Sequence, residues 1–78
     1  MKYTVDVEVA DGTEITAAWR VGTHTLTVAD HVTAAIQAQQ IEAAWYTTRN
    51  LPYAIRKVTV REVRDGIVVP RPVWTSEV

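Results

Sequence analysis

Tyr3, Val5, Val7 and Val9 alternate with Lys2, Thr4, Asp6 and Glu8, the period-two pattern of a strand with one face buried. Asp11-Gly12 reads as a turn, and a second alternation follows in which Ile15, Ala17, Trp19 and Val21 share one parity. A two-residue loop would put the two apolar rows on opposite faces, since one residue of slip reverses every side chain. A three-residue loop, Ala10-Asp11-Gly12 with Gly12 left-handed, keeps them together and sets Val7 against Ile15, Val5 against Ala17 and Tyr3 against Trp19. It also sets Glu8 against Glu14 and Lys2 against Arg20, which costs at most about 1 kcal/mol on an exposed face. Gly22-Thr23 predicts a second, tighter hairpin. A short third strand then runs from Thr23 to Thr27, with His24 and Leu26 in its inward row and three threonines toward solvent.

Helix formers run from Val28 to about Arg49 without glycine or proline. Thr27 is a candidate N-cap and Asp30 its rival. Asn50 suits the left-handed stop position, and Leu51-Pro52 ends the run. Ala54 to Val63 predicts a fourth strand, Arg64-Asp65-Gly66 a turn, and Ile67 to Val69 a fifth strand. Within the fourth strand Val58 and Val60 share one parity while Ile55 and Val63 share the other, which calls for a bulge or for burial on both faces. Pro70 and Pro72 oppose further pairing in a central strand. The expected architecture is α+β, a mainly antiparallel sheet in the order β-β-β-α-β-β packed on one long helix. A single domain would span 1–69, and an irregular tail, 70–78, would carry Trp74.

The helix carries two apolar stripes at 100° per residue. Val28, Val32, Ala35, Ile36, Ala43 and Tyr46 form the stripe expected to lie on the sheet. Ala34, Ala38, Ile41 and Trp45 form another almost opposite, which a lone helix on a lone sheet leaves uncovered. The tail could cover it through Pro72, Val73 and Trp74, since small domains need every apolar contact. Otherwise it is a surface for a second copy, with Ala34 and Ala38 permitting close approach, or for another protein, with Trp45 as the anchor. The protein-binding candidates are therefore Ala34, Ala38, Ile41, Trp45 and Trp74.

Charge is divided along the 78 residues: the net value is −1, with a balance of −4 over residues 1–48 and +3 over 49–78. Such asymmetry can mark nucleic-acid contact. Arg56, Lys57, Arg61 and Arg64 would carry it, Lys57 and Arg61 on one face of the fourth strand and Arg56 and Arg64 on the other, with Tyr53 available to stack on a base. The competing expectation is structural: the basic strand lies beside the acidic first strand, with Asp6 and Glu8 facing its cations. A slightly negative chain is poorly suited to phosphate-driven affinity.

The candidate chemistry is sparse. With no cysteine, disulfides, thiolate nucleophiles and cysteine-bearing metal sites are excluded. His24, His31 and Asp30 match no strong metal-ligand spacing, and three separated glycines make no phosphate loop. A chain this short rarely encloses a catalytic cleft, so neither an enzyme, a cofactor nor a small-molecule substrate is expected. Ser76-Glu77-Val78 fits a short carboxylate-capture pattern, although a frayed terminus explains it as well. No apolar run approaches a membrane span, and Met1-Lys2-Tyr3-Thr4 enters the first strand without a signal-peptide core, which sets a cytoplasmic expectation.

Val, Thr and Ala supply 34 of the 78 residues, Arg outnumbers Lys six to two, and Phe is absent. This usage resembles translation of a GC-rich genome, and the chain looks like a small accessory protein of an actinobacterium or its phages. That resemblance implies a non-enzymatic protein that binds another protein, or itself, and acts by occupying a surface. The alternatives are a nucleic-acid-binding module built on the basic strand and a structural subunit of a larger assembly.

Overall fold

The first alternation is the centre of the sheet. In a computed structural model that describes residues 1–10 and 19–77, β1 (Lys2–Ala10) is paired antiparallel on both sides. One neighbour is β2 (Trp19–Thr27) and the other is β3 (Ala54–Arg64). Between them in sequence runs α1 (His31–Thr48); β4 (Ile67–Val68) and β5 (Trp74–Glu77) follow β3. The sheet order is β2-β1-β3-β4, and β5 joins the same edge of β3 further along. The fold is α+β, one antiparallel sheet with α1 on one face.

Tyr3, Val5, Val7 and Val9 all point to the helix and are buried, together with Val58 and Val60 of β3. The expected bulge lies in β3, where the register with β1 shifts between Glu8 and Val9. The extra residue brings Ile55 onto the helix side, opposite Val9, and against the core. Val63 stays on the other face, opposite Lys2. That outer face is polar and cross-linked. Asp6 accepts from the Thr23 hydroxyl at 2.8 Å and from Arg61 at 2.9 Å, and Arg56 reaches Glu8 at 3.2 Å.

The expected Gly22-Thr23 hairpin does not form. β2 passes straight through it, with Val7 opposite Gly22, Val5 opposite His24 and Tyr3 opposite Leu26. Among the described residues two strands therefore precede the helix, and three follow it. Trp19 opens the strand against Ala10 and does not face Tyr3. The Asp11-Gly12 turn and the partners expected at Ile15 and Ala17 lie outside the described residues. The tail is not irregular either. After Pro70 and Pro72 the chain returns to β3, with Val73 N–H donating to Val60 O at 2.9 Å and Trp74 opposite Val60. The prolines exclude a central strand, whereas β5 is a short edge strand.

The local stops follow from backbone geometry. Asp65 and Gly66 both have positive φ, 51° and 76°, the requirement of a two-residue type I′ turn, and they join Arg64 to Ile67. Asn50 takes φ 54° after the helix. Its N–H bonds Thr47 O and that of Leu51 bonds Tyr46 O, which closes the last turn as a Schellman motif. At the other end Asp30, not Thr27, is the cap, with extended dihedrals and a 2.8 Å bond from Thr33 N–H to its carboxylate. Val28 instead extends the sheet, exchanging backbone bonds with Met1.

The Thr33 N–H, foremost among the causes, holds the Asp30 carboxyl below its ordinary 3.8. A carboxyl depressed in the folded state stabilises above its unfolded value, and that contribution is lost as pH falls through the lower folded value. Asp30→Ala should therefore lower the melting temperature at pH 7, and the gap between parent and variant should close in thermal melts taken below pH 3.8.

Candidate functional site

The helix touches the sheet along one row: Ala34, Ala38, Glu42 and Tyr46, four residues apart, with Ala35 beside them, are its buried positions. Three of these are alanines, so the helix sits close to the strands. The large apolar residues are left on its flanks: Val32 and Ile36 on one, Ile41 and Trp45 on the other, all exposed. This corrects the expected orientation. Val32 and Ile36 do not lie on the sheet, and Ala34 and Ala38, expected on the open stripe, are fully buried beneath the helix. Of that stripe, Ile41 at 47% and Trp45 at 45% exposure remain on the surface.

A polar cluster sets this rotation. The buried Glu42 carboxylate lies 2.8 Å from His24 Nε2 and 3.6 Å from the Arg20 guanidinium, both on the helix side of β2. The imidazole N–H donates to it, because a carboxylate has only acceptors. His24 lies in the inward row, as expected, and is satisfied there by Glu42. Gly22 lies between the two in the same row, and a Cβ there would overlap Glu42 Oε1. Glycine at this position therefore serves close approach rather than a turn.

Arg20 also binds the aromatic end of the helix. Its Nε donates to the Tyr46 hydroxyl at 2.9 Å, and its guanidinium lies 5.5 Å from the Tyr46 ring and 5.9 Å from that of Trp45. Tyr46 stacks on Tyr53 at 5.5 Å and meets Trp45 edge-on at 4.9 Å. Arg49 covers Trp45 at 4.0 Å, anchored by a bond from its Nη1 to Trp45 O. Trp45 is thus a half-exposed ring held by two cations and an aromatic neighbour, contacts worth about 0.5–1 kcal/mol each at exposed sites.

The remaining candidates lie apart from it. Trp74 is on β5, at the opposite edge of the sheet from β2, so it neither covers Ile41 and Trp45 nor joins them. Among the basic residues, Arg61 bonds Asp6 and the Pro70 carbonyl, and Arg56 pairs with Glu8 and stacks on Trp19 at 4.4 Å. Arg64 holds Glu62 at 2.8 Å. That bond is the main reason the Glu62 carboxyl titrates lower, and the Arg64 guanidinium higher, than usual. Lys57 stands between Glu8 and Glu77 in register. The basic strand is therefore largely matched by carboxylates, the structural alternative expected from charge. Asp30 is engaged as the helix cap, and among the described residues no three metal-ligating side chains converge. No helix among them is long and apolar enough to cross a membrane.

Compared with protein-family models, curated proteins and solved structures, the chain matches none.

Gly22→Ala should destabilise the fold by about 1–3 kcal/mol, the range for an overpacked site, because the added methyl displaces a carboxylate that His24 and Arg20 hold. In a double-mutant cycle, Glu42→Ala removes the obstacle. The two substitutions together should cost clearly less in urea unfolding than the sum of each alone; additivity would mean that Gly22 matters for another reason.

Proposed function

We propose that this protein is a non-enzymatic protein-binding module whose contact surface is the Ile41/Trp45 flank of α1. The observation that carries the reading is the state of Trp45: exposed, yet held by Arg49, Arg20 and Tyr46. An aromatic ring fixed before contact loses little freedom on binding, which is what makes Trp an effective anchor. Ile41, one turn earlier on the same flank, adds apolar area beside it. The mechanism is steric occupation of a partner surface, with Arg20 and Arg49 flanking the anchor to favour an acidic rim. The compositional resemblance to small phage accessory proteins supports this mode of action, on a host protein or on a second copy of the chain. The pairing of Arg56, Arg61 and Arg64 with carboxylates weighs against the nucleic-acid alternative.

Trp45→Glu should keep the far-ultraviolet dichroism of the parent, lose about 1–3 kcal/mol of stability with its two cation contacts and one ring contact, and abolish partner contact. Affinity capture from the source or host lysate, with the parent and variant side by side and with and without nuclease, reads this out. A variant that unfolds places Trp45 in the core and defeats the reading. Capture that disappears on nuclease treatment transfers the function to the basic strand.

A further inference from the structure

The two edges of the sheet are finished differently. Along β3, the edge is covered by β4 and then by β5. The edge at β2 has no such cover among the described residues, where the strand pairs only with β1. Its deterrents to pairing are few: over its nine residues, WRVGTHTLT, there is no proline, no lysine and no register shift, and Arg20, its one such charge, is turned to the helix side and engaged with Glu42.

Its backbone polarity can be read from one end. Val28 N–H bonds Met1 O at 2.8 Å, and the Met1 amino group bonds Val28 O at 2.9 Å. In an antiparallel ladder successive residues turn their N–H and C=O groups to opposite sides. Leu26, His24, Gly22 and Arg20 therefore bond β1, and the groups of Thr27, Thr25, Thr23, Val21 and Trp19 face outward. The same alternation in β3 sends Val60 and Glu62 away from β1, where their carbonyls accept from Val73 and Val69.

We propose that this edge pairs antiparallel with β2 of a second copy, about a two-fold axis at Thr23, to give one continuous sheet. The inference rests on the Ile41/Trp45 reading and names the partner of that flank. An axis at Thr23 puts Thr23 opposite itself, Val21 opposite Thr25 and Trp19 opposite Thr27, so every outward-facing group finds a partner. These outer-face side chains are β-branched or aromatic, the types that pack best across strands. On the helix side Gly22 meets His24, and Arg20 meets Leu26. Arg20 is the one Lys, Arg, Asp or Glu in the strand, and it meets an apolar residue, so no like charges oppose each other.

The helix flank arrives at the same axis. Glu42 Oε1 lies where a Gly22 Cβ would be, so helix positions 41 to 45 stand level with the middle of β2. Trp45 is within 5.9 Å of Arg20, which sets that flank on the β2 side of the helix. A two-fold axis perpendicular to the sheet keeps both helices on one face with these flanks toward each other. From β1 to β1 of the second copy is three strand spacings, about 14 Å. Helices lying over β1 would have axes about that far apart, wider than the roughly 8–10 Å of close helix packing, a separation that side chains as large as Ile41 and Trp45 bridge. The open edge and the uncovered flank thus call for the same occupant.

The test is sedimentation velocity of the purified full chain over a wide concentration range, with three variants. Thr25→Pro removes an outward N–H, which an edge strand tolerates, and Thr25→Lys serves should the proline disturb folding. In this otherwise cysteine-free chain, Thr23→Cys should form a disulfide-linked dimer on mild oxidation, whereas Thr27→Cys, far from its own copy in this register, should not. The expected result is a parent dimer that becomes a folded monomer in either Thr25 variant, with crosslinking at 23 alone. A parent that stays monomeric, or a dimer indifferent to both Thr25 variants, overturns the proposal. Trp45→Glu separates the two readings. If it breaks a dimer that crosslinks through Thr23, both stand. If the dimer survives it, the strand pairing stands and the flank reading fails. If the parent is monomeric yet Trp45→Glu still abolishes capture of another protein, only the self-pairing fails.

Discussion

The carboxylate of Glu42, inserted between helix and sheet over Gly22, is the constraint on which the arrangement of this molecule turns. An unpartnered buried carboxylate costs several kcal/mol, so the helix must present Glu42 where His24 and Arg20 can reach it. That requirement sets the rotation of the helix about its axis. Alanines then fall against the valines of β1, and Tyr46 falls where it can meet both Arg20 and Tyr53. Ile41 and Trp45 are excluded from the core by the same rotation. The polar contact that closes one face of the helix thus decides which apolar surface the other flank displays.

This explains why some of the structure was legible in the chain and some was not. Local signals read well. The alternation of β1, the parity conflict in β3 that called for a bulge or for burial on both faces, Asn50 as a left-handed stop and Asp65-Gly66 as a turn each depend on a few adjacent residues. The helix face did not read well, because size and apolarity favour Val32 and Ile36 over Ala34, Ala38 and Glu42. Nothing within the helix announces that Glu42 has partners on a strand some twenty residues earlier. Gly22 misled for a related reason: a glycine between two alternating segments signals a turn, but it also signals close approach. The unbroken parity of Arg20, Gly22, His24 and Leu26 was the available hint that one strand runs through. Pro70 and Pro72 hide β5, since prolines bar a central strand but leave an edge strand open.

The candidate site was legible in outline. Ile41 and Trp45 stand exposed, one of the outcomes that the helical pattern left open, and Asp6 and Glu8 meet the basic strand, the structural one of the two readings of its charge. What the linear pattern lacked was the strand order. With β2 at one edge and β5 at the other, Trp45 and Trp74 belong to different regions. The polar cluster supplies the link that no spacing rule contains, for Arg20 serves both the buried Glu42 and the exposed Trp45.

The placement of β1 at the centre of the sheet bears on how the chain is made. Its nearer partner, β2, is synthesised soon after it, but β3 begins at Ala54. Until then one side of the strand holding Val5, Val7 and Val9 lacks its native neighbour. Vectorial synthesis, at roughly 5–20 residues per second, therefore leaves a hydrophobic strand half-paired for a matter of seconds. Asp6 and Glu8, spaced between those valines, put two like charges on the strand throughout that interval, a placement of the kind that opposes strand-to-strand association. Later, in the finished sheet, they hold Arg61 and Arg56.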